Sequence, residues 1–285
     1  MAKFGIDVSK WQGEFNFSKA KNEDKVEFVI LRGAYAQSKD KKFDEYYAKC
    51  KGLGLPVGVY HYSMATTIAE AKAEAKFLCE KVLKGKKFEL PIYMDVEDKV
   101  QLALGKSALT EIVKAWCEYL ETKGYYVGIY ASTWTFQGEL DDSQLKKYTH
   151  WIAQWSKNCT YSGDIDMWQF GGETNSLRSN LIAGQVVDQD YMYEDFPSII
   201  KAKGLNGFGK KQNTTTATVP TTKYFAKTTY TGVSLVEGLS SVGAAVTFAY
   251  RKKIATANGV KAYLGTASQN TKLLNLLKQG KLIKP

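Results

Sequence analysis

Short apolar runs alternate with helix-period segments along roughly the first two hundred residues. Strand-like runs rich in Val, Ile, Tyr and Phe are FGIDVS (4–9), FVILRGAY (28–35), PVGVYHYS (56–63), LPIYMDVE (90–97), YVGIYAS (126–132), HWIAQW (150–155), IDMWQF (165–170) and GQVVDQD (184–190). Between them, 42–54, 67–84, 107–123 and 141–147 carry apolar residues at helical spacing. Gly52, Gly54 and Gly124 stand where those helices would stop. Eight strand-like runs interleaved with helices predict an α/β fold, a parallel barrel, irregular because little helix separates the last three strands. The segment KKQNTTTATVPTT (210–222) has no apolar period and predicts a linker. The expected organisation is a barrel over 1–205, a linker over 206–222 and a small α-rich or α+β domain over 223–285. In that domain 233–242, 247–258 and 267–279 predict helices, with β-like pieces at 223–231 and 281–284.

Composition changes this picture little, but charge changes it. The chain has 285 residues, 44% hydrophobic and 24% charged, as ordinary globular domains do. No run of eighteen apolar residues is present, so no membrane-spanning helix is expected. The net charge is +10. Residues 1–203 hold 27 Lys+Arg against 28 Asp+Glu, whereas 223–285 hold ten against Glu237 alone. The excess therefore belongs to the small domain and implies a separate, anionic partner. Cys50, Cys79, Cys117 and Cys159 stand far apart with only two histidines, so no zinc site and no cofactor are expected. The first three cysteines fall in helix-like segments and fit buried thiols.

The candidate chemistry lies in PIYMDVED (91–98), where three carboxylates follow an apolar run. In a barrel of this kind, functional residues collect at the C-terminal strand ends. Asp7 would end strand one, Asp95 and Glu97 strand four, and Asp188 and Asp190 strand eight. Residues two apart on a strand share a face, which groups Asp95 with Glu97 and turns Val96 and Asp98 away. Carboxyls crowded in a partly apolar cleft cannot all ionise, so one is held as the neutral acid. A neutral acid beside an anion suits glycosidic bond cleavage. Tyr35, Tyr60, Tyr62, Tyr93, Tyr130, Trp155 and Trp168 fall near strand ends and could stack on sugar rings. Two alternatives stay open for DVED: an acid cluster at a helix N-terminus, or a divalent-cation site.

Taken together, FGIDVSKWQG at the start, GVYHYS (58–63), PIYMDVED, GYYVGIYAS (124–132), WIAQW (151–155), MWQF (167–170) and VVDQD (186–190) resemble the glycoside hydrolase family 25 lysozymes over about residues 2–200. The resemblance implies an N-acetylmuramidase that cleaves the β-1,4 bond between N-acetylmuramic acid and N-acetylglucosamine of peptidoglycan, with retention. It implies Glu97 as general acid, Asp95 as stabiliser of the transition state or of the acetamido group, and Asp7 and Asp188 as the rest of an acidic floor. Substrate contacts are expected from Tyr60, Tyr62, Tyr93, Tyr130, Gln154, Trp155, Trp168 and Asp190. Where the family has Val-Asp-x-Asn, this chain has Asp190, which ranks behind Asp188. The stretch from SLVEGLSSVGAAVTFAYRKKIA to NTKLLNLLKQGKLIKP is similar to wall-targeting regions of endolysins from phages of clostridia. Those resemblances imply a phage endolysin. The +9 charge of its small domain would suit teichoic acids or other anionic wall polymers; a solvated helix face at RKK (251–253) is the plain alternative, and nucleic acid, which no recognised motif accompanies, a third, so neither nucleic acid nor membrane is the expected partner. A bacterial autolysin or an inactive wall-binding lectin are the alternatives. MAKFGIDVSK has no apolar leader core, so residence in the host cytoplasm followed by release to the wall is expected.

Overall fold

The computed structural model describes residues 2–172, 181–209, 224–246, 248–261 and 263–285. It divides into two compact units, Met1–Gln212 and Asn213–Pro285. The first is a closed barrel of eight strands: β1 (Lys3–Val8), β2 (Phe28–Tyr35), β3 (Val57–Tyr62), β4 (Ile92–Asp95), β5 (Val127–Ser132), β6 (Thr149–Ala153), β7 (Met167–Gly171) and β8 (Asp188–Met192). Strands β1 to β7 follow one another in parallel pairs, and β8 closes the ring antiparallel to both β7 and β1. The expected all-parallel barrel is thus corrected at its last strand. A parallel return needs a crossover of a dozen or more residues, usually helical. The described residues before β8 form only a small hairpin, Leu181–Ile182 with Gln185–Val186.

The helices are α1 (Phe17–Asn22), α2 (Phe43–Gly52), α3 (Ile68–Phe77), α4 (Lys106–Thr122) and α5 (Phe196–Lys203). Helix α3 starts at a reciprocal cap between Thr67 and Glu70 and runs into a π-helical turn, Leu78–Leu83. Helix α4 buries Leu109, Ile112, Val113, Trp116 and Leu120, a stripe at helical spacing. The segment expected as a helix over 141–147 makes only a short turn, Asp142–Gln144. Sequence periodicity missed α1 and α5, each only two turns or so long.

Strand parity sorts the core into two layers. Phe4, Ile6, Val8, Val57, Val59, Ile92 and Met94 face outward and pack in the main core with helix residues such as Leu109 and Trp116. Phe28, Ile30, Tyr93, Trp151, Met167 and Met192 face inward and form a second cluster with Phe196 and Ile200 of α5. Gly128 makes room for this filling, since a Cβ there would lie 2.5 Å from the Tyr93 ring. Asn206 closes the end where β4 and β5 begin. Its amide donates to Leu90 O at 2.8 Å and accepts from Tyr126 N at 2.7 Å. Asn206 is fully buried, and Phe208 packs against the inner cluster. Residues 206–209, read from sequence as linker, are therefore part of the barrel unit. The rest of the expected linker, 210–222, lies outside the described residues.

The second unit holds α6 (Leu235–Ser240), α7 (Phe248–Ala257) and α8 (Ala267–Lys278), all three expected. Its core gathers Leu235, Leu239, Ile254, Leu273, Leu274 and Leu277 with Phe225 and Leu282. The expected β-pieces reduce to one antiparallel bridge, Tyr224 with Ile283.

Candidate active site

The carboxylates meet at the barrel rim where β1 to β7 end, around a cavity of about 380 Å³. Asp7, Asp95, Glu97 and Asp188 all line it. Asp188 arrives there because β8 runs backwards: it is the first residue of its strand and pairs with Asp7, the penultimate residue of β1. Gly172 lets it in, since a Cβ at that position would sit 2.1 Å from Asp188 Oδ1. Strand β4 ends at Asp95, so Glu97 projects from the turn that follows, yet both carboxyls reach the same cavity. Asp98 takes a different task, capping the one-turn helix Lys99–Leu102 by accepting from Val100 N at 2.9 Å.

The turn that carries Glu97 is tied down on both sides. Val96 is fully buried, and its N–H donates to Tyr130 O at 2.9 Å. Gln101, also fully buried, donates to Ser63 Oγ at 3.0 Å and to Ala65 O at 2.9 Å. Ser63 in turn donates to Glu74 Oε2 at 2.7 Å, and His61 Nε2 lies 3.1 Å from the same oxygen. This buried network joins α3, the end of β3 and the Glu97 turn into one rigid corner.

Gln169 organises the opposite wall. Its Oε1 accepts from Tyr130 OH at 2.9 Å and from Trp155 Nε1 at 3.0 Å. Indole N–H can only donate, so the amide orientation is fixed and Nε2 must face Asp7, donating to its Oδ2 at 2.8 Å. Trp151 lies beneath, edge-on to Tyr130 and Tyr93 at 4.5 and 5.1 Å, and donates from Nε1 to Asp190 Oδ1 at 2.8 Å. Arg32, the cation of the floor, pairs with Asp40 at 2.8 Å. Asp40 also accepts from Lys10 N, which anchors the turn Lys10–Gln12 beside the cavity. That turn is capped by Ser9 and presents Trp11, 76% exposed, at the rim.

Burial governs the protonation of these acids. It pushes Asp7 well above the usual carboxylate range, helped by Asp188 and Asp190 and opposed by the Gln169 amide. Burial does the same to Asp95, reinforced by Glu97 and partly offset by the Arg32 guanidinium. Glu97 is raised by burial and then by Asp98. Asp190 is raised by burial and then by Asp188, against the bond from Trp151. The cavity thus stores carboxylic acid at pH values where free carboxyls are ionised. Asp95 Oδ1 is buried with no hydrogen-bond partner among the described residues.

Of the expected contacts, Tyr60, Tyr62, Tyr130 and Trp155 line the cavity. Tyr35 stacks on Tyr62 at 5.0 Å and stays at the outer rim. Four others do not reach it. Tyr93 is fully buried below, against Trp151. Trp168 points to the outer face of β7, packs on Phe170 and donates to Gln154 O at 2.8 Å. Gln154 folds its own loop by bonding Thr160 N at 2.7 Å. Asp190 lies under the floor and is absent from the lining. Sequence reading missed Trp11, Arg32, Trp151 and Gln169. A signal existed for two of them: Arg32 interrupts the apolar run FVILRGAY, and Gln169 is a polar residue at an inward parity position of β7.

Residues 6–177 match the family model described as Glycosyl hydrolases family 25. The chain is 29% identical over 152 residues to the autolytic lysozyme of Clostridium acetobutylicum, which covers 53% of this chain and 44% of that protein. It is 41% identical over 81 residues to the L-alanyl-D-glutamate peptidase of Listeria phage A118, covering 28% of this chain and 27% of that protein. The chain thus spans less than half the length of these curated relatives. The solved structure of the CTP1L endolysin superposes with a TM-score of 0.59 at 22% identity, over 70% of each chain, a likeness of fold.

Proposed function

The chain belongs to glycosyl hydrolases family 25, and from that premise we propose that it is an endolysin. It would hydrolyse the β-1,4 bond between N-acetylmuramic acid and N-acetylglucosamine of bacterial peptidoglycan, with retention. The observation that carries this reading is the convergence of Asp7, Asp95, Glu97 and Asp188 on one rim cavity flanked by Trp11, Tyr62 and Trp155. Glu97 keeps its proton through burial and the nearby Asp98, and delivers it to the leaving glycosidic oxygen. A partner acid that gives up its proton stabilises positive charge developing on the sugar. Asp95, which lines the cavity together with Glu97, holds the acetamido N–H of the substrate. Exposed indole and phenol rings at the rim stack on neighbouring sugars.

The shared segment with a phage peptidase supports a phage lytic enzyme; such an enzyme would wait in the host cytoplasm and meet the wall at lysis. The autolytic lysozyme relative supports a bacterial autolysin with the same chemistry as the second reading. The basic second unit is the wall-binding module. It holds the barrel near an insoluble substrate by raising effective concentration. Product analysis tests the chemistry. Digestion of purified sacculi followed by borohydride labelling of new reducing ends is expected to label muramic acid. Labelled glucosamine would make the chain a glucosaminidase instead.

Gln101 is expected to act as a positioning residue for Glu97. Gln101→Leu removes both bonds of the Gln101 amide and takes from Ala65 O its side-chain donor, while Ser63 Oγ keeps the bond from Ala65 N. Turnover should fall about tenfold, within the ~1–3 kcal/mol that an orphaned buried polar group costs. A looser turn hydrates Glu97 and lowers its pKa, so the alkaline limb of kcat should move to lower pH. A lower melting temperature with an unmoved limb would show that Gln101 serves the fold alone.

A further inference from the structure

The second unit contains a groove that no reading of the barrel uses. Two cavities of about 520 and 650 Å³ adjoin, sharing Ala257 at the end of α7 as a common wall. Leu276 and Ile283 line one of them, together with Tyr224, an exposed aromatic. Lys281 lies at that end, and Lys252 and Lys253 at the other. The groove therefore has a largely aliphatic wall with cations at both ends.

Those cations are available. Lys252, Lys253 and Lys281 are exposed, and among the described residues none of them makes an ion pair. Other cations of the unit are committed: Lys278 donates to Thr231 O and Gly232 O, and Arg251 to Val246 O. Glu237, the sole acid of residues 223–285, accepts from Tyr230 and does not line the groove. The α7 C-terminus would repel an anion through its free carbonyls. Here Asn258 Nδ2 covers Ile254 O at 2.7 Å and Val260 N covers Ala255 O at 2.8 Å. Asn258 also exchanges two bonds with Ile283, at 2.9 Å each, which fixes the groove wall.

The geometry points to this groove as the binding site for a linear polyol phosphate polymer, its phosphates on Lys252, Lys253 and Lys281 and its polyol or sugar segment against Tyr224, Leu276 and Ile283. This rests on the wall-binding role given above to the second unit and locates it. A nucleic acid fits less well. Binding of successive bases uses several stacking faces, and the groove offers one aromatic ring.

The test uses the full chain carrying Glu97→Gln and immobilised poly(glycerol phosphate), with uncharged polyglycerol as control. The parent is expected to bind the phosphate polymer and not polyglycerol, with affinity falling as salt rises. Lys252→Ala with Lys253→Ala should weaken binding ~30-fold, at roughly 1 kcal/mol for each lysine near an anionic surface. Tyr224→Ala should weaken it several-fold without changing the salt slope. Lys261→Ala, exposed and outside both cavities, should leave it within about twofold, since one charge remote from the site changes only the screened far field. Unchanged melting curves establish that the variants are folded. If Lys261→Ala costs as much as the pair, charge is diffuse and the groove is not the site, though the anionic role stands. Equal binding of a single-stranded oligonucleotide with matched phosphates would also overturn the assignment. If the parent ignores poly(glycerol phosphate) or binds polyglycerol equally, the anionic role itself fails.

Discussion

Glu97→Gln is expected to cut turnover on soluble glycan fragments by about 10²–10⁴-fold while leaving their binding within a few-fold. The isosteric amide keeps the shape of the turn, which Gln101 and Val96 hold from outside the cavity. What it removes is the transferable proton. In the parent, burial and then Asp98 raise Glu97, so the acid form persists to higher pH than for a free glutamate. The rate should fall on the alkaline side as that proton is lost, and the variant should lose this limb while retaining a small, flatter residual rate. Reducing-end release from a purified muropeptide dimer, followed across pH, measures both. Turnover equal to the parent's, or an alkaline limb that survives the substitution, would remove Glu97 from the role of proton donor.

The strands were legible because their apolar runs are short and are bounded by polar or glycine residues. FVILRGAY is β2 to the residue, and the other barrel strands fall within four residues of the expected ends. The direction of β8 was not legible from its own composition, because a strand's direction is set by its connection. The signal lay upstream, where the sequence offers little helix to carry a crossover. Asp188 was expected at the end of strand eight; it reaches the rim of Asp7 and Asp95 despite the reversal because β8 begins at Asp188, and an antiparallel strand is entered at the end where its parallel neighbours are left. Side-chain assignments failed where proximity to a strand end was used in place of parity. Trp168 and Gln169 are neighbours on β7, and alternation sends the indole to the outer layer and the amide to Asp7. Glu97 reached the cavity although β4 stops at Asp95, so its position comes from turn geometry and the Gln101 anchor rather than from a pleat.

Asp190→Asn is expected to make the barrel more stable at neutral pH, with a gap over the parent that closes in acid. Asp190 is fully buried, and its Oδ1 accepts from Trp151 Nε1 at 2.8 Å. Its Oδ2 faces no donor among the described residues apart from the carboxyl of Asp7. Ionising both acids there is unfavourable, and both are raised, first by burial and then by Asp188. A raised acid binds its proton more tightly in the folded chain than in the unfolded one. Its contribution to stability is complete below the ordinary aspartate value near 3.9 and is lost as pH rises through the raised one. The parent is therefore penalised at neutral pH relative to pH 4. Asparagine keeps an acceptor for Trp151, supplies a permanent N–H toward Asp7 and carries no charge, so it escapes the penalty. Each kcal/mol recovered should raise the melting temperature by about 2–4 °C in a domain of this size. Calorimetry from pH 4 to 8 should show the two curves converging at the acid end, with the variant above the parent at pH 7. A variant that melts lower at pH 7, or a difference that does not change with pH, would show that Asp190 is stabilised as an anion and that the site has a use for its charge.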